Sequence, residues 1–428
     1  MAEARILKPK ISIRIRNWFN RFFLDFINLS SDPEYKQEKK DSWGLPHKKE
    51  TNFLFIACLV LLCVFGMIMV TSSSIYSAYN GGDSLYYTRK QALALILGFI
   101  GILAAVYVVP LRLYQSLAPL AYVVAIALQI GVLFFGEEIN GSRRWFDLGV
   151  VSFQPSEFTK IATAMITAWL VNRYRERITH PGTFMQIIVV LLIPTVLILK
   201  ENLSTAVINF MIGLMILYAG GAKIRHILTL VIIGGLGVTF ILVLPLIIQI
   251  DQAPHFLQPI LNEFYYRTLR IKAWLDPFAY SENIGYQTVQ SLYAIASGGF
   301  FGKGLGNSIQ KLGYIPEAHN DIIFSVICEE LGILGAIIVL LLFAGLIING
   351  IKIATYAPNF FTRCLAIGLI SQVAVQSMIN IAVNVNLIPV TGVTLPFISY
   401  GGSSLSFLLV SMGMLLSISR YSVAAADN

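Results

Sequence analysis

Apolar stretches of roughly 20 residues recur along this chain, and that recurrence leaves few folds open to it. A hydrocarbon core about 30 Å thick takes about 20 apolar residues per helical crossing, and a helix satisfies its own backbone within it. Such runs fall at 53–72, 91–109, 117–135, 157–172, 187–199, 205–221, 227–248, 322–349, 364–383 and 403–419. They predict an all-α, polytopic membrane bundle of ten helices over 53–420, with a large polar loop, 249–321, between helices seven and eight. Composition agrees: 56% of residues are hydrophobic, 13% are charged and the mean hydropathy is +0.71. A soluble domain carries the opposite balance.

The first run follows a polar stretch, 1–52, and so reads as a retained anchor rather than a cleaved signal. An even number of spans puts both ends on one side. Residues 1–52, the short loops at Arg112, Arg173 to Arg177, Lys223 to Arg225 and Lys352 to Arg363, and Arg420 together carry 20 basic residues, against 11 on the other side. The positive-inside rule therefore predicts that 1–52 and the tail 421–428 are cytoplasmic. Lys plus Arg exceed Asp plus Glu by 31 to 23, and this placement assigns the excess to a membrane surface rather than to nucleic acid. Ile11 to Leu29 interleaves Arg14, Arg16 and Arg21 with Trp18, Phe19, Phe22, Phe23 and Phe26. That pattern suits either an amphipathic helix on the inner leaflet or a disordered basic tail. Ser30 to Glu50 reads as a linker. Cys58, Cys63, Cys328 and Cys364 all lie in apolar runs and read as buried hydrophobes, with no zinc motif among them.

Under this topology the outer loops hold the chemistry. After span three comes Asn140-Gly-Ser-Arg-Arg-Trp145, then Phe153-Gln-Pro-Ser-Glu157 and Lys160. Pro155 fits a helix start, and Ser156 and Glu157 fit an exposed first turn. Arg143, Arg144 and Lys160 stand on the side where cations are sparse, so they serve either ordinary loop ion pairs or an anionic ligand such as a phosphate. The long loop carries Trp274-Leu-Asp-Pro-Phe278, Gly285-Tyr-Gln287, the run Gly298-Gly-Phe-Phe-Gly-Lys-Gly-Leu-Gly306 and Ile315-Pro-Glu-Ala-His-Asn-Asp321. The glycines fail the phosphate-loop pattern at Ser297 and Gly304 and predict tight turns and close helix approach. Asp276, Glu317, His319 and Asp321 can cap turns, move protons or hold a divalent ion. Glu329 and Glu330 lie inside a span and must face the bundle or a wet cavity. Asn384 to Ser404, rich in Pro and Gly and without charge, cannot be a regular helix and is expected to re-enter the bundle.

Taken together these segments resemble the SEDS family of bacterial cell-wall proteins, which includes FtsW, RodA and SpoVE. The resemblance runs from about Phe53 to Arg420 and is carried by Asn140-Gly-Ser-Arg-Arg-Trp145, Phe153-Gln-Pro-Ser-Glu157, Pro316-Glu-Ala-His319, Glu329-Glu-Leu-Gly332 and Leu395-Pro-Phe-Ile-Ser-Tyr-Gly-Gly-Ser-Ser404. Pro316-Glu-Ala-His319 and Thr394-Leu-Pro-Phe397 are most similar to the division branch, FtsW. The resemblance implies a peptidoglycan glycosyltransferase that joins lipid II units at the outer face of the plasma membrane. It also implies a class B penicillin-binding protein and other divisome proteins as partners, with a divalent cation, Mg or Mn, as a possible cofactor. Arg143, Arg144, Lys160, Glu317, His319 and Ser403 then become candidates for binding substrate and its diphosphate. A sugar hydroxyl needs a base, whereas a diphosphate leaving group needs cations rather than an acid.

The sequence departs from the family where many members carry an essential aspartate before Gly-Tyr-Gln; Tyr280 stands there, and a phenol with a pKa near 10 is a poor base. Asp276 is the candidate general base, with Glu282 the alternative. Asn202 replaces another family aspartate. Two rival functions stay open: a lipid II transporter, which should show internal repeats that are not found here, and a non-catalytic scaffold for the transpeptidase, which Tyr280 favours.

Overall fold

The computed structural model describes residues 52–247 and 268–421, apart from 81, 82, 84, 140, 141, 148, 150 and 151. The basic stretch 1–51, the loop residues 248–267 and the tail 422–428 lie outside the described residues, as do the amphipathic-helix and linker readings.

Each of the ten apolar runs falls on a helix: α1 (Phe53–Asn80), α2 (Tyr86–Leu103), α3 (Leu111–Phe135), α4 (Pro155–Arg173), α5 (Pro181–Glu201), α6 (Leu203–Ala219), α7 (Ile224–Ile247), α9 (Ile323–Thr355), α10 (Phe360–Asn384) and α11 (Gly402–Arg420). The helix between α7 and α9, α8 (Tyr286–Gly298), belongs to the large loop. Among the described residues seven helices are long and apolar enough to cross a membrane, and Leu203–Ala219 and Ile224–Gly237 add shorter apolar stretches. α4 is different in kind. Its residues from Pro155 to Val171 are almost all buried and include Thr159, Ala162, Thr163, Ala164, Thr167 and Ala168. Small side chains let neighbouring backbones approach, so α4 fills the centre of the bundle between α3, α6 and α10. Apolar side chains such as Val60, Ile96, Phe99 and Ile232 face outward, as lipid contact requires.

The outer loop after α3 folds as a small three-stranded antiparallel sheet, β1 (Glu137–Ile139), β2 (Ser142–Asp147) and β3 (Ser152–Phe153). Aromatic residues account for it: Phe146 pairs with Phe153 in register and their rings stack at 6.4 Å.

The glycine run does what tight packing asks of it. α9 is broken at Gly332 (φ 67°, ψ −163°), which frees main-chain carbonyls at membrane depth. Segment 299–304 fills the break: Lys303 N–H donates to Glu329 O and Gly304 N–H to Glu330 O, both at 2.9 Å, while Ile333 N–H donates to Gly299 O at 3.1 Å. The side chains of the same two glutamates are enclosed. Glu329 accepts from Lys303 at 2.7 Å, from the Ser308 hydroxyl and from two main-chain amides. Glu330 accepts from Lys311 at 2.6 Å, from Ser72 at 2.7 Å and from Gly306 N–H at 3.0 Å. These carboxylates face the bundle and hold the long loop onto α1 and α9.

The segment 385–401 re-enters as expected. It has no regular structure, yet Val393, Leu395, Phe397 and Ile398 are buried. Side chains from three helices satisfy its backbone: Ser204 donates to Thr391 O, Gln376 to Thr394 O, Asn380 to Val393 O and Gln91 to Ser399 O.

Candidate active site

α4 begins where Gln154 is extended and Pro155 occupies the first helical position, as the sequence predicts. The exposure expected of that turn is wrong. Ser156 and Glu157 are 6% and 5% exposed, and Lys160 is 2% exposed. α10 and α11 cover the turn, so the charges pair internally: Lys160 Nζ donates to Glu157 Oε1 at 2.9 Å and to Gln376 Oε1 at 3.4 Å. Glu157 Oε2 is buried without a hydrogen-bond partner. Ser403, at the head of α11, accepts from Gln154 N–H at 3.3 Å and so joins two of the sequence motifs.

α10 carries a feature that motif reading missed. Gln372, Gln376, Asn380 and Asn384 recur every fourth residue and are all buried, which places four amides on one helical face inside a membrane span. That spacing was the signal available in the sequence. Gln376 meets Lys160 and Thr394. Asn380 donates to Asp321 O and Val393 O, each at 2.7 Å. Asn384 donates to Asp321 O at 2.9 Å and accepts from the Ser325 hydroxyl at 2.8 Å. The line therefore runs from the α4 ion pair, past the re-entrant segment, to Asp321.

Asp321 ends the loop just before α9. Gln287 of α8 donates to its Oδ1 at 3.3 Å. Burial pushes its carboxyl up to about 6; its own main-chain N–H, Gln287 and Arg270 pull the other way, and Glu317 adds to the rise. His319, two residues earlier, is 2% exposed and lies against Tyr87 (ring centroids 4.1 Å apart) and Tyr400 (5.5 Å). Burial lowers its pKa to about 4 despite Glu317, so the imidazole is neutral near pH 7. It can offer a hydrogen bond to a diphosphate but not a charge. Glu317 is exposed, has φ 48° and accepts from Asn320 at 2.5 Å.

Asp276 and Glu282 are both exposed. Asp276 closes the helical segment 268–275 and accepts from Ala279 N–H at 3.2 Å, which makes it a turn cap as it stands. Trp274 anchors that segment, donating to Asn386 O at 3.0 Å, just beyond α10. Tyr280 is half-buried, and its carbonyl accepts from Gly285 N–H at 3.0 Å, at the start of the turn that delivers Gln287 to Asp321. Arg143 lies on β2 opposite Glu138 and pairs with it at 3.2 Å; Arg144 follows it on the strand. Lys160 belongs to the interior and the two arginines to the sheet, so the three cations do not form one open cluster. Asn202 has a plain role: its side chain accepts from Ser204 and Thr205 N–H as the N-cap of α6, which Asn serves as well as Asp. No group of three His, Cys, Asp or Glu side chains gathers among the described residues. Among the described residues, the protein's own side chains therefore form no ready-made cage for a divalent ion.

Residues 52–424 match the FtsW/RodA/SpoVE family of cell cycle proteins. The chain is 39% identical over 378 residues to the probable peptidoglycan glycosyltransferase FtsW of Bacillus subtilis, covering 87% of this chain and 91% of that one. It is 36% identical over 382 residues to stage V sporulation protein E of the same organism, covering 88% and 98%. Among solved structures it resembles a chain of a peptidoglycan synthase complex described as coordinating polymerization and crosslinking, with TM-score 0.69, 26% identity and coverage of 88% and 98%. The rod shape determining protein RodA of Thermus thermophilus shares the fold, with TM-score 0.59 at 22% identity and coverage of 88% and 98%. Fold, motifs and relatives agree that this chain belongs to the FtsW/RodA/SpoVE family.

Proposed function

We propose that this protein is a peptidoglycan glycosyltransferase of cell division that polymerises lipid II at the outer face of the plasma membrane. The observation that carries the reading is the α10 amide line, which binds the α4 ion pair, the re-entrant segment and Asp321 into one polar site at the loop-rich end of a lipid-facing bundle. That end is extracellular by charge placement, with both termini cytoplasmic. A polyprenyl tail stays in the bilayer beside the helices, while Arg143 and Arg144 offer charge to the diphosphate from the sheet. The hydroxyl of the acceptor sugar attacks C1 of the donor, the C1–O bond to the diphosphate breaks, and the hydroxyl proton passes to a loop carboxylate. The family relatives named for glycosyl transfer and for a synthase complex support a crosslinking partner, a class B penicillin-binding protein.

The test is reconstitution: the purified protein, with its transpeptidase partner, incubated with lipid II. Glycan polymer on a gel supports the reading. A silent protein that moves lipid II across liposomes would instead make it a transporter, and one that does neither, a scaffold.

A further inference from the structure

Tyr280 leaves open which group takes the acceptor's proton. We infer that Asp321 is the general base of glycosyl transfer in this chain, a role that rests on the glycosyltransferase reading above.

Among the described residues, several other carboxylates of this face are paired or lie exposed on turns. Glu157, Glu329 and Glu330 are buried in ion pairs with Lys160, Lys303 and Lys311. Glu138 pairs with Arg143. Asp276 caps its own turn, Glu282 is exposed on the same turn, and Glu317 is exposed and engaged with Asn320. Asp321 differs from these in joining partial burial to a fixed backbone and an oriented carboxylate. Its main-chain carbonyl is clamped by Asn380 and Asn384, and Gln287 orients Oδ1. Across from Oδ2 lies Gly392, at φ 67°, where a Cβ would stand 3.9 Å from that oxygen, so position 392 itself places no side chain against it. Tyr280 lies on the turn that carries Gln287, so Asp321 works in the same neighbourhood as the family's usual position.

The electrostatics suit the task. A base works best with a pKa near the operating pH, and burial holds Asp321 at about 6. The charged groups that bear on it are Glu317 and Arg270, with His319 neutral two residues away, while α8 and α10 contribute the amides of Gln287, Asn380 and Asn384. In the transfer, the acceptor O–H proton goes to Asp321, the oxygen forms its bond to C1, and the electron pair of the breaking C1–O bond leaves with the diphosphate. No oxidant or further reactant is needed.

The experiment follows lipid II polymerisation across pH by the full chain with its transpeptidase partner. Wild type should lose kcat/KM below an acid limb near pH 6. Asp321→Asn should lose about 100-fold or more in kcat, the usual contribution of a general base, with KM within a few-fold. Its main-chain clamp does not involve the substituted atoms, so the variant should fold. Gln287→Leu removes a hydrogen bond that favours the carboxylate and should move the acid limb upward, a shift that a purely structural role for Asp321 does not produce. Tyr280→Asp should restore activity to Asp321→Asn. Asp321→Asn at wild-type rate, or an acid limb unmoved in Gln287→Leu, overturns the inference and leaves the glycosyltransferase reading intact. A wild type that makes no polymer overturns both.

Discussion

Asn380, deep in α10, donates from one amide nitrogen to two main-chain carbonyls, Asp321 O and Val393 O, each at 2.7 Å. One side chain thereby fixes the start of α9 and the re-entrant segment relative to each other. Both acceptors lie where water is scarce, so the bond is worth more as a satisfied group than as a net attraction. Asn380→Leu should destabilise the protein by roughly 1–3 kcal/mol, the cost of orphaning the Val393 carbonyl, because Asp321 O keeps its bond from Asn384. Thermal unfolding in detergent reads the loss. Polymerisation should fall further than stability does, because Asp321 and segment 385–401 would no longer share a frame. Equal activity in a destabilised but folded variant would separate the frame from the chemistry.

The Glu157–Lys160 pair makes a different prediction. Both partners are buried, so removing one leaves an uncompensated charge, at a cost on the order of 3–5 kcal/mol. Lys160→Met and Glu157→Gln should each unfold at markedly lower temperature than wild type. The double variant, with neither charge, should regain most of that stability, because desolvation of the pair had offset its attraction. If the double variant is as unstable as the sum of the singles, the pair is not coupled and the 2.9 Å contact is incidental.

The break in α9 can be tested by adding one carbon. Gly332 has φ 67° and ψ −163°, a region open to glycine alone, and a Cβ there would run into the backbone of Gly302 and Phe300. Gly332→Ala should therefore cost more than the ~1 kcal/mol of an ordinary left-handed alanine. Gly306→Ala is the control: it also has positive φ, but nothing stands within 4 Å of its Cβ. A melting point for Gly332→Ala no lower than that of Gly306→Ala would show that segment 299–304 does not seal the break.

What the sequence disclosed, and what it withheld, follows from the reach of each signal. The helices were legible because hydrocarbon thickness imposes a length on every crossing, and all ten runs fell on helices. The stretch 384–404 was legible because two prolines and three glycines without charge allow neither helix nor open solvent. Local grammar failed at Lys160, which reads as a free cation in a polar loop and is in fact buried against Glu157. Burial there comes from α10 and α11, more than 200 residues further along the chain. The α10 amides were visible as a four-residue period, but their meaning depended on Asp321 and Lys160 arriving from other helices.

Stability against pH should expose the two perturbed groups of the loop, because they pull in opposite directions. His319 has its folded pKa lowered to about 4 from 6.5, so between those values the unfolded chain binds the extra proton and stability rises with pH. Asp321 has its folded pKa raised to about 6 from 3.8, so in nearly the same window the folded chain holds the extra proton and stability falls with pH. At 1.36 kcal/mol per unit each effect is on the order of 3 kcal/mol, and in wild type they largely cancel. Asp321→Asn leaves the histidine alone, and its melting temperature should climb from pH 4 to pH 6.5 relative to wild type. His319→Gln leaves the aspartate alone, and its melting temperature should drop over the same range. The other carboxylates titrate equally in all three proteins, so the differences between the curves isolate the pair. Parallel curves would mean that neither group is perturbed by burial, and Asp321 would then lose the electrostatic half of its case as a base.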